Sequence, residues 1–255
     1  MRLLVLLIAL ISMPLQAEIT NNAQAINQAG KQRMLGQRIV KAYIMVGSDV
    51  KANKAQKELD ESIALFEQHH LELMEYAPSK AIYDALNQVS EIWMPFRLKA
   101  VQEPKATVAE QLIIASDELF KASNNVVFLL EKHAKSNTAK LVNTSGKQRM
   151  LSQKIAKLYM AMAWKLNSDN LKQDFEQSLQ DYEAGLKQLN QATENSAEIK
   201  KKLAKVNAQW QFSKAGFSQH ESGRFVPTLI SVTTDSMLKK MNELTLEYQK
   251  LSEKS

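Results

Sequence analysis

The 255-residue sequence contains no cysteine and has only 7 glycines, 5 prolines and 3 tryptophans. Without cysteine, the chain has no disulfide framework, no thiolate metal ligand and no cysteine nucleophile. The few glycines form neither a phosphate-binding loop nor the Gly-x-Ser-x-Gly turn of a hydrolase. Because helix-breaking residues are scarce and Ala, Leu, Lys, Glu and Gln dominate, the composition is typical of an all-α protein, and no enzyme and no cofactor are predicted.

The only long apolar run of the sequence lies at the N-terminus, within residues 1–17. Arg2 precedes an apolar core at residues 3–11, and Ala17 stands at a suitable cleavage position. This order predicts a secretory signal peptide and export to the periplasm. The apolar core is short for a bilayer span, so an uncleaved membrane anchor is the less favoured alternative.

Charge and histidine placement do not indicate a nucleic-acid or metal site. The net charge of +6 is small and is not clustered with aromatic residues, which predicts a solvated surface and no nucleic-acid binding. Glu67 and His70 have the spacing of half a di-iron site in a helical bundle. The second half of the chain has no matching pair, and His133 and His220 are isolated. We therefore predict surface histidines and no metal.

The hexapeptide Gly-Lys-Gln-Arg-Met-Leu occurs at residues 30–35 and again at 146–151, a shift of 116 residues (146 − 30). Such a fixed-period match indicates a tandem duplication. Further pairs at this shift are Asn27 with Asn143, Gln37 with Gln153, Lys41 with Lys157, Tyr43 with Tyr159, and residues 59–63 with 175–179. Farther along, Trp93 aligns with Trp210 at 117, and residues 119–121 align with 238–240 at 119. The whole unit is therefore predicted to be duplicated, with both tryptophans in bundle cores.

The segment around each hexapeptide has the pattern of a helix that is buried on two faces. In residues 26–46 the apolar side chains fall on two opposite stripes at helical spacing, whereas a surface helix usually has one. Arg33 lies within one stripe, and Arg149 lies on the same stripe of the second copy. A buried guanidinium must be paired, and no acidic residue lies within a helical turn of either arginine. The missing anion is expected from elsewhere in the chain or from a ligand.

Residues 26–38, Ile-Asn-Gln-Ala-Gly-Lys-Gln-Arg-Met-Leu-Gly-Gln-Arg, resemble the conserved box of the periplasmic sensor domain of nitrate/nitrite sensor kinases of the NarX type. They are even more similar to the N-terminal domain of type IV pilus chemotaxis transducers of the PilJ type. The resemblance implies antiparallel four-helix bundles that meet through their first helices, with Arg33 and Arg149 gripping one nitrate. The chain departs from the nitrate sensors at Gln28 and Thr144, where those sensors carry a lysine.

We expect two tandem antiparallel four-helix bundles, with the signal peptide at 1–17, a first PilJ/NarX-like bundle at 18–136 and a second at 137–255. Residues 131–145 contain no proline, which leaves two alternatives: a break near residue 137, or a long continuous helix that joins the bundles. Pro95 is expected to kink the third helix or end it early.

Two function classes remain. In the first, the chain is an exported sensor-type module that binds a small oxyanion through paired arginines, with nitrate and nitrite as lead candidates, and relays the signal to a separate membrane sensor or envelope protein. In the second, it is a ligand-free interaction or structural module of a type IV pilus or envelope assembly. The arginines favour the first class, because helix packing alone would be better served by Leu or Ala.

The ligand site is expected to form where the two first helices meet. In one arrangement the repeats pair within one chain as an internal pseudo-dimer, and both arginines meet one anion. In the rival arrangement the bundles lie end to end, and each arginine meets its counterpart in a homodimer. The candidate ligand-binding residues are Arg33, Arg149, Gln37, Gln153, Lys31, Lys147, Gly30 and Gly146.

Overall fold

The computed structural model describes residues 18–254, so the predicted signal peptide lies outside the described residues. Within this range the chain forms eight α-helices and no strand, which confirms the all-α prediction. The helices are α1 (Asn22–Gly47), α2 (Ala52–Tyr76), α3 (Lys80–Ala100), α4 (Ala106–Ala134), α5 (Asn137–Ala163), α6 (Leu171–Gln191), α7 (Ala197–Phe217) and α8 (Pro227–Ser252), with a short 3-10 helix (Ser218–Ser222) before α8. None of these described helices is apolar over a length that would cross a membrane.

Side-chain caps fix the starts of matching helices in the two halves. Ser79 accepts a hydrogen bond from the backbone N–H of Ile82 before α3, and Ser196 accepts one from Ile199 before α7. The early end that we expected at Pro95 does not occur, because α3 continues to Ala100. Pro95 is exposed, so the carbonyl that the missing N–H would have bonded can be hydrated.

The two first helices, α1 and α5, form the centre of the molecule. Helix α1 packs against α2 and α4 on one side and against α5 on the other, while α5 packs against α6 and α8. Both helices therefore need two apolar faces, as their sequence pattern predicted. The buried apolar side chains of the two halves form one continuous cluster. Of the two arrangements considered, the chain has its first helices paired internally rather than strung end to end.

Each half keeps its own aromatic centre beside this shared core. The Trp93 ring stacks on Phe66 with centroids 3.9 Å apart, and the Trp210 ring lies 4.6 Å from that of Tyr182. Both tryptophans are buried, as predicted. They fill matching positions between the outer helices and the central pair.

Buried lysines tie each first helix to the fourth helix of the other half. The Lys41 ammonium on α1 lies 2.9 Å from Asp235 on α8, and that of Lys157 on α5 lies 3.6 Å from Asp117 on α4. These two aspartates are 118 residues apart (235 − 117). The alignment at 119 was therefore wrong by one residue for the fourth helices, because Leu and Lys are frequent enough in both helices to match by chance.

The connection between the halves is a break and not a continuous helix. Helix α4 ends at Ala134, Lys135 adopts a left-handed conformation with φ of 51°, and α5 begins at Asn137. The backbone N–H of Lys135 donates to the carbonyl of Glu131, which closes the last turn of α4. The division into units at 18–136 and 137–255 stays a prediction, since both halves share one core.

Replacing Lys135 by glycine should stabilise the protein by up to about 1 kcal/mol, because glycine adopts positive φ without the steric penalty of a Cβ. The Lys135 side chain is exposed, so little packing is lost. Urea unfolding followed by circular dichroism measures the change. As the matched control, Lys132→Gly changes an exposed position inside α4, and it should instead destabilise the protein by about 1 kcal/mol. Equal effects of the two substitutions would contradict the left-handed cap.

Candidate functional site

Helices α1 and α5 approach each other closely where Gly30 faces Gly146. A Cβ built on Gly30 would lie 3.9 Å from Cα of Gly146, 3.1 Å from Nη2 of Arg149 and 3.5 Å from Nη2 of Arg33. A Cβ on Gly146 would lie 3.3 Å and 3.4 Å from the same two nitrogens. The two glycines thus make the space in which both guanidinium groups meet.

Each arginine binds one helix of its own half and one helix of the other half. Arg33 donates from Nη1 to Oδ1 of Asn124 (2.7 Å) on α4 and from Nη2 to Oδ1 of Asn143 (2.8 Å) on α5. Arg33 is only 2% exposed, so these bonds replace water at a buried cation.

Arg149 repeats this pattern from the opposite side. Its Nη1 donates to Oδ1 of Asn242 (3.2 Å) on α8, and its Nη2 donates to the backbone carbonyl of Asn27 (3.1 Å) on α1. Asn124 and Asn242 match at a shift of 118 (242 − 124). Sequence reasoning missed both asparagines because the fourth helices were aligned one residue out of register.

The charge of the two arginines is not neutralised by a direct acidic partner among residues 18–254. Burial lowers the pKa of Arg33 to about 10, while the carboxylate of Glu131 acts in the opposite direction. Burial lowers the pKa of Arg149 to about 9, and the positive charge of Arg33 lowers it further. The Nε atom of each arginine has no hydrogen-bond partner in the described part of the chain. The site is therefore a pair of buried cations held by neutral oxygens.

One residue makes the two halves of this site unequal. Asn143 donates from its amide nitrogen to Glu131 on α4, and the matching Asn27 donates to Gln249 on α8. Glu131 and Gln249 correspond at the shift of 118 (249 − 131). In the first half, the carboxylate of Glu131 is thus linked to Arg33 through Asn143. In the second half, the neutral amide of Gln249 takes the place of this carboxylate.

The predicted lysines and glutamines lie near this seam in different surroundings. Lys31 is partly buried, and its pKa is lowered by burial and by the charge of Arg149. Lys147 is exposed and forms an ion pair with Asp181 at 3.5 Å. Gln37 and Gln153 are buried one helical turn beyond the arginines. The structure thus brings the arginines and glycines together, with one lysine near each arginine.

His70 and Glu67, which have the spacing of half a di-iron site, each contact other protein groups. His70 is buried rather than on the surface, and its ring nitrogens contact Ser90 (2.6 Å) and Gln32 (3.3 Å). The surface prediction was wrong because residue 70 falls on the apolar stripe of α2. Glu67 pairs with Arg97. Among residues 18–254, no group of three or more His, Asp or Glu side chains could hold a metal ion.

Comparison with known protein families finds a match in both halves of the chain. The family described as type IV pili methyl-accepting chemotaxis transducer N-terminal matches residues 15–114 and 133–224, one segment in each half. Both segments contain the hexapeptide and its arginine. No curated protein and no solved structure matches the chain. The likeness of the box to the nitrate sensors stays a resemblance.

Replacing Glu131 by glutamine should lower the free energy of unfolding by about 1 kcal/mol at neutral pH. The substitution removes the carboxylate that favours the charged form of Arg33, and it makes the first half resemble the second at Gln249. Urea denaturation measures the change. Glu118→Gln, the same substitution at an exposed position of α4, should change stability by less than about 0.5 kcal/mol. A Glu131→Gln effect no larger than this control would contradict the electrostatic role of Glu131.

Proposed function

The chain belongs to the family of type IV pili methyl-accepting chemotaxis transducer N-terminal domains, and we propose that it is an exported sensory module that binds a small oxyanion between Arg33 and Arg149. The family indicates a sensory module of the chemotaxis-transducer type. The anion and the place where it binds are our inference from the geometry of the α1–α5 seam.

The observation that carries the proposal is the meeting of two buried guanidinium groups at one point. Two like charges in a low-dielectric interior repel, and their neutral asparagine partners do not compensate this repulsion. An anion between the arginines would convert the repulsion into charge-assisted hydrogen bonds from both sides. The unpartnered Nε atoms of Arg33 and Arg149 supply additional donors.

The close approach of the helices favours an ion of a few atoms. The guanidinium groups meet where Gly30 and Gly146 carry no side chain, and a Cβ at either position would lie within 3.5 Å of both groups. Nitrate and nitrite are the lead candidates, because they are small, singly charged and carry oxygens that can accept from two planar donors at once. Gln37, Gln153, Lys31 and Lys147 would line the approach or add weaker contacts.

Anion binding at the seam would act on both halves at once. Arg33 and Arg149 reach α4 and α8 through Asn124 and Asn242, so a shift of either guanidinium changes the packing of a first helix on a fourth helix. We propose that this change is passed in the periplasm to a separate membrane sensor or envelope protein. In this scheme the monomer acts as an internal pseudo-dimer, and no nucleic acid takes part.

A ligand-free interaction module of a pilus or envelope assembly is the second candidate. The observation in its favour is that each guanidinium already donates two hydrogen bonds to protein oxygens. The seam could then serve only to lock the two halves together. The two candidates differ in whether an added anion stabilises the folded protein.

Nitrate or nitrite should raise the melting temperature of the purified protein more than equal concentrations of sulfate or chloride, because a ligand that binds only the folded state stabilises it. Titration calorimetry on a monomer confirmed by light scattering should give one anion per chain. Either Arg33→Ala or Arg149→Ala should abolish the binding, since the anion needs both cations.

Arg97→Ala is the matched control. Arg97 on α3 forms a surface ion pair with Glu67 on α2, and neither residue belongs to α1 or α5. This variant should bind the anion as the unmodified protein does. Anion binding that persists in the Arg33→Ala, Arg149→Ala double variant would refute the site. Binding that occurs only in a dimer would refute the internal pairing.

The affinity for nitrate should fall as the pH rises above about 9. The pKa of Arg149 is lowered to about 9, and the anion binds the protonated guanidinium, so binding is strongest below this pKa and is lost above it. At pH 9 binding should also take up protons, which calorimetry in two buffers of different ionisation enthalpy measures. An affinity that stays constant up to pH 11 would contradict the lowered pKa.

A further inference from the structure

A pocket of about 410 Å³ opens beside Arg33, between α4, α5 and α6. Its lining includes Asn124, Lys147, Gln148 and Gly185. We propose that this pocket binds a small organic carboxylate, at a second site distinct from the anion position between the two arginines. The pocket borders Arg33 but not Arg149, so this proposal does not depend on the anion proposed above.

Gln148 is the first observation that indicates a ligand. It is 1% exposed, and neither its amide nitrogen nor its amide oxygen has a hydrogen-bond partner within the described residues. A buried amide left without partners is costly, and an amide has two donors and an acceptor to satisfy. Gln148 belongs to the lining of the pocket, so a ligand that carries an acceptor and a donor would meet this requirement once the buried amide turns towards it.

The charges around the pocket favour a carboxylate. The Arg33 guanidinium forms the inner wall, and Lys147 stands at the mouth with its side chain 46% exposed. Asp181 is the acidic residue of the lining, and it is already paired with Lys147. One cation therefore remains in excess, in a wall of amides that can orient a polar molecule.

Gly185 on α6 makes room for this arrangement. A Cβ at this position would overlap the amide of Gln148. In the first half the matching residue is His69 (185 − 116), whose buried ring has its pKa lowered to about 3 by burial and by the charges of Lys31 and Arg149. A ring thus stands beside Arg149 at the position where the second half has only a hydrogen atom.

A second difference between the halves lies one turn after Gly185 on α6. Gln188 lines the pocket, and its counterpart Glu72 accepts a hydrogen bond from Gln28. In the first half, the corresponding region is thus occupied by the side chains of His69, Glu72 and Gln28. The volume of the pocket in the second half lies within the range of small-molecule sites, about 300–1,000 Å³, and exceeds what a three- or four-atom oxyanion needs.

The test uses the full exported chain with glutamine, glutamate and succinate as carboxylate probes and propionamide as the uncharged comparison. At least one carboxylate should raise the melting temperature, and propionamide should not. Gln148→Leu and Gly185→Ala should each weaken that carboxylate about tenfold, because the first removes the amide and the second displaces it. Lys147→Ala, a surface change that leaves the fold intact, should weaken it in the same direction.

The duplication supplies the matched controls. Gln32→Leu and Lys31→Ala are the same substitutions at the corresponding positions of the first half, and they should leave the affinity within about twofold of the unmodified protein. Arg149→Ala should abolish nitrate binding and leave carboxylate binding in place, while Gln148→Leu should weaken carboxylate binding about tenfold and leave nitrate binding in place. This crossing separates failure of the pocket from failure of the seam site.

Three outcomes would overturn the pocket proposal. The first is that none of the three carboxylates raises the melting temperature. The second is that Gln32→Leu and Gln148→Leu weaken binding equally. The third is that Arg149→Ala removes carboxylate binding, which would place the carboxylate at the seam. Carboxylate binding that depends on Gln148 in a protein without nitrate affinity would support the pocket and refute only the seam site.

Discussion

The close contact of α1 with α5 at Gly30 and Gly146 is the constraint on which the rest of the structure depends. Because no side chain separates the helices there, two guanidinium groups can reach the same buried place from opposite sides. That contact forces both first helices to be buried on two faces, and it makes the two halves share one apolar core. It also leaves two positive charges in an interior that does not neutralise them.

Polar contacts that cross between the halves fix how α1 and α5 lie against each other. Lys41 pairs with Asp235 and Lys157 with Asp117, so each first helix is tied to the fourth helix of the opposite half. Apolar packing tolerates small shifts, whereas a buried lysine requires its partner in one place, since an unpaired buried charge is costly. Burial lowers the pKa of Lys157 to about 8, which indicates that its pairing with the more distant Asp117 only partly offsets desolvation.

The joining of two repeats in one chain allows the two sides of the seam to differ. In a symmetric dimer a substitution appears on both sides, but here the counterpart of Glu131 is Gln249, and the counterpart of Gly185 is His69. The first difference places a carboxylate near Arg33, and the second leaves room for the pocket that Gly185 lines. A single chain can therefore hold two different environments around one pair of arginines, whereas a dimer of identical chains would have the same environment on both sides.

The sequence by itself determined the helical class, the duplication, the burial of both faces of α1 and α5, and the presence of an arginine on an apolar stripe in each. These features depend on spacing along one helix, which the order of residues encodes directly. Tertiary structure decided that α1 packs against α5 of the same chain and that Asn124 and Asn242 hold the arginines. It also decided that α4 ends before Lys135 and α5 begins after it, where neither glycine nor proline marks a break, and that His70 is buried. Periodicity specifies which face of a helix is covered, but it does not specify which neighbour covers it, because that choice depends on contacts between residues far apart in the chain.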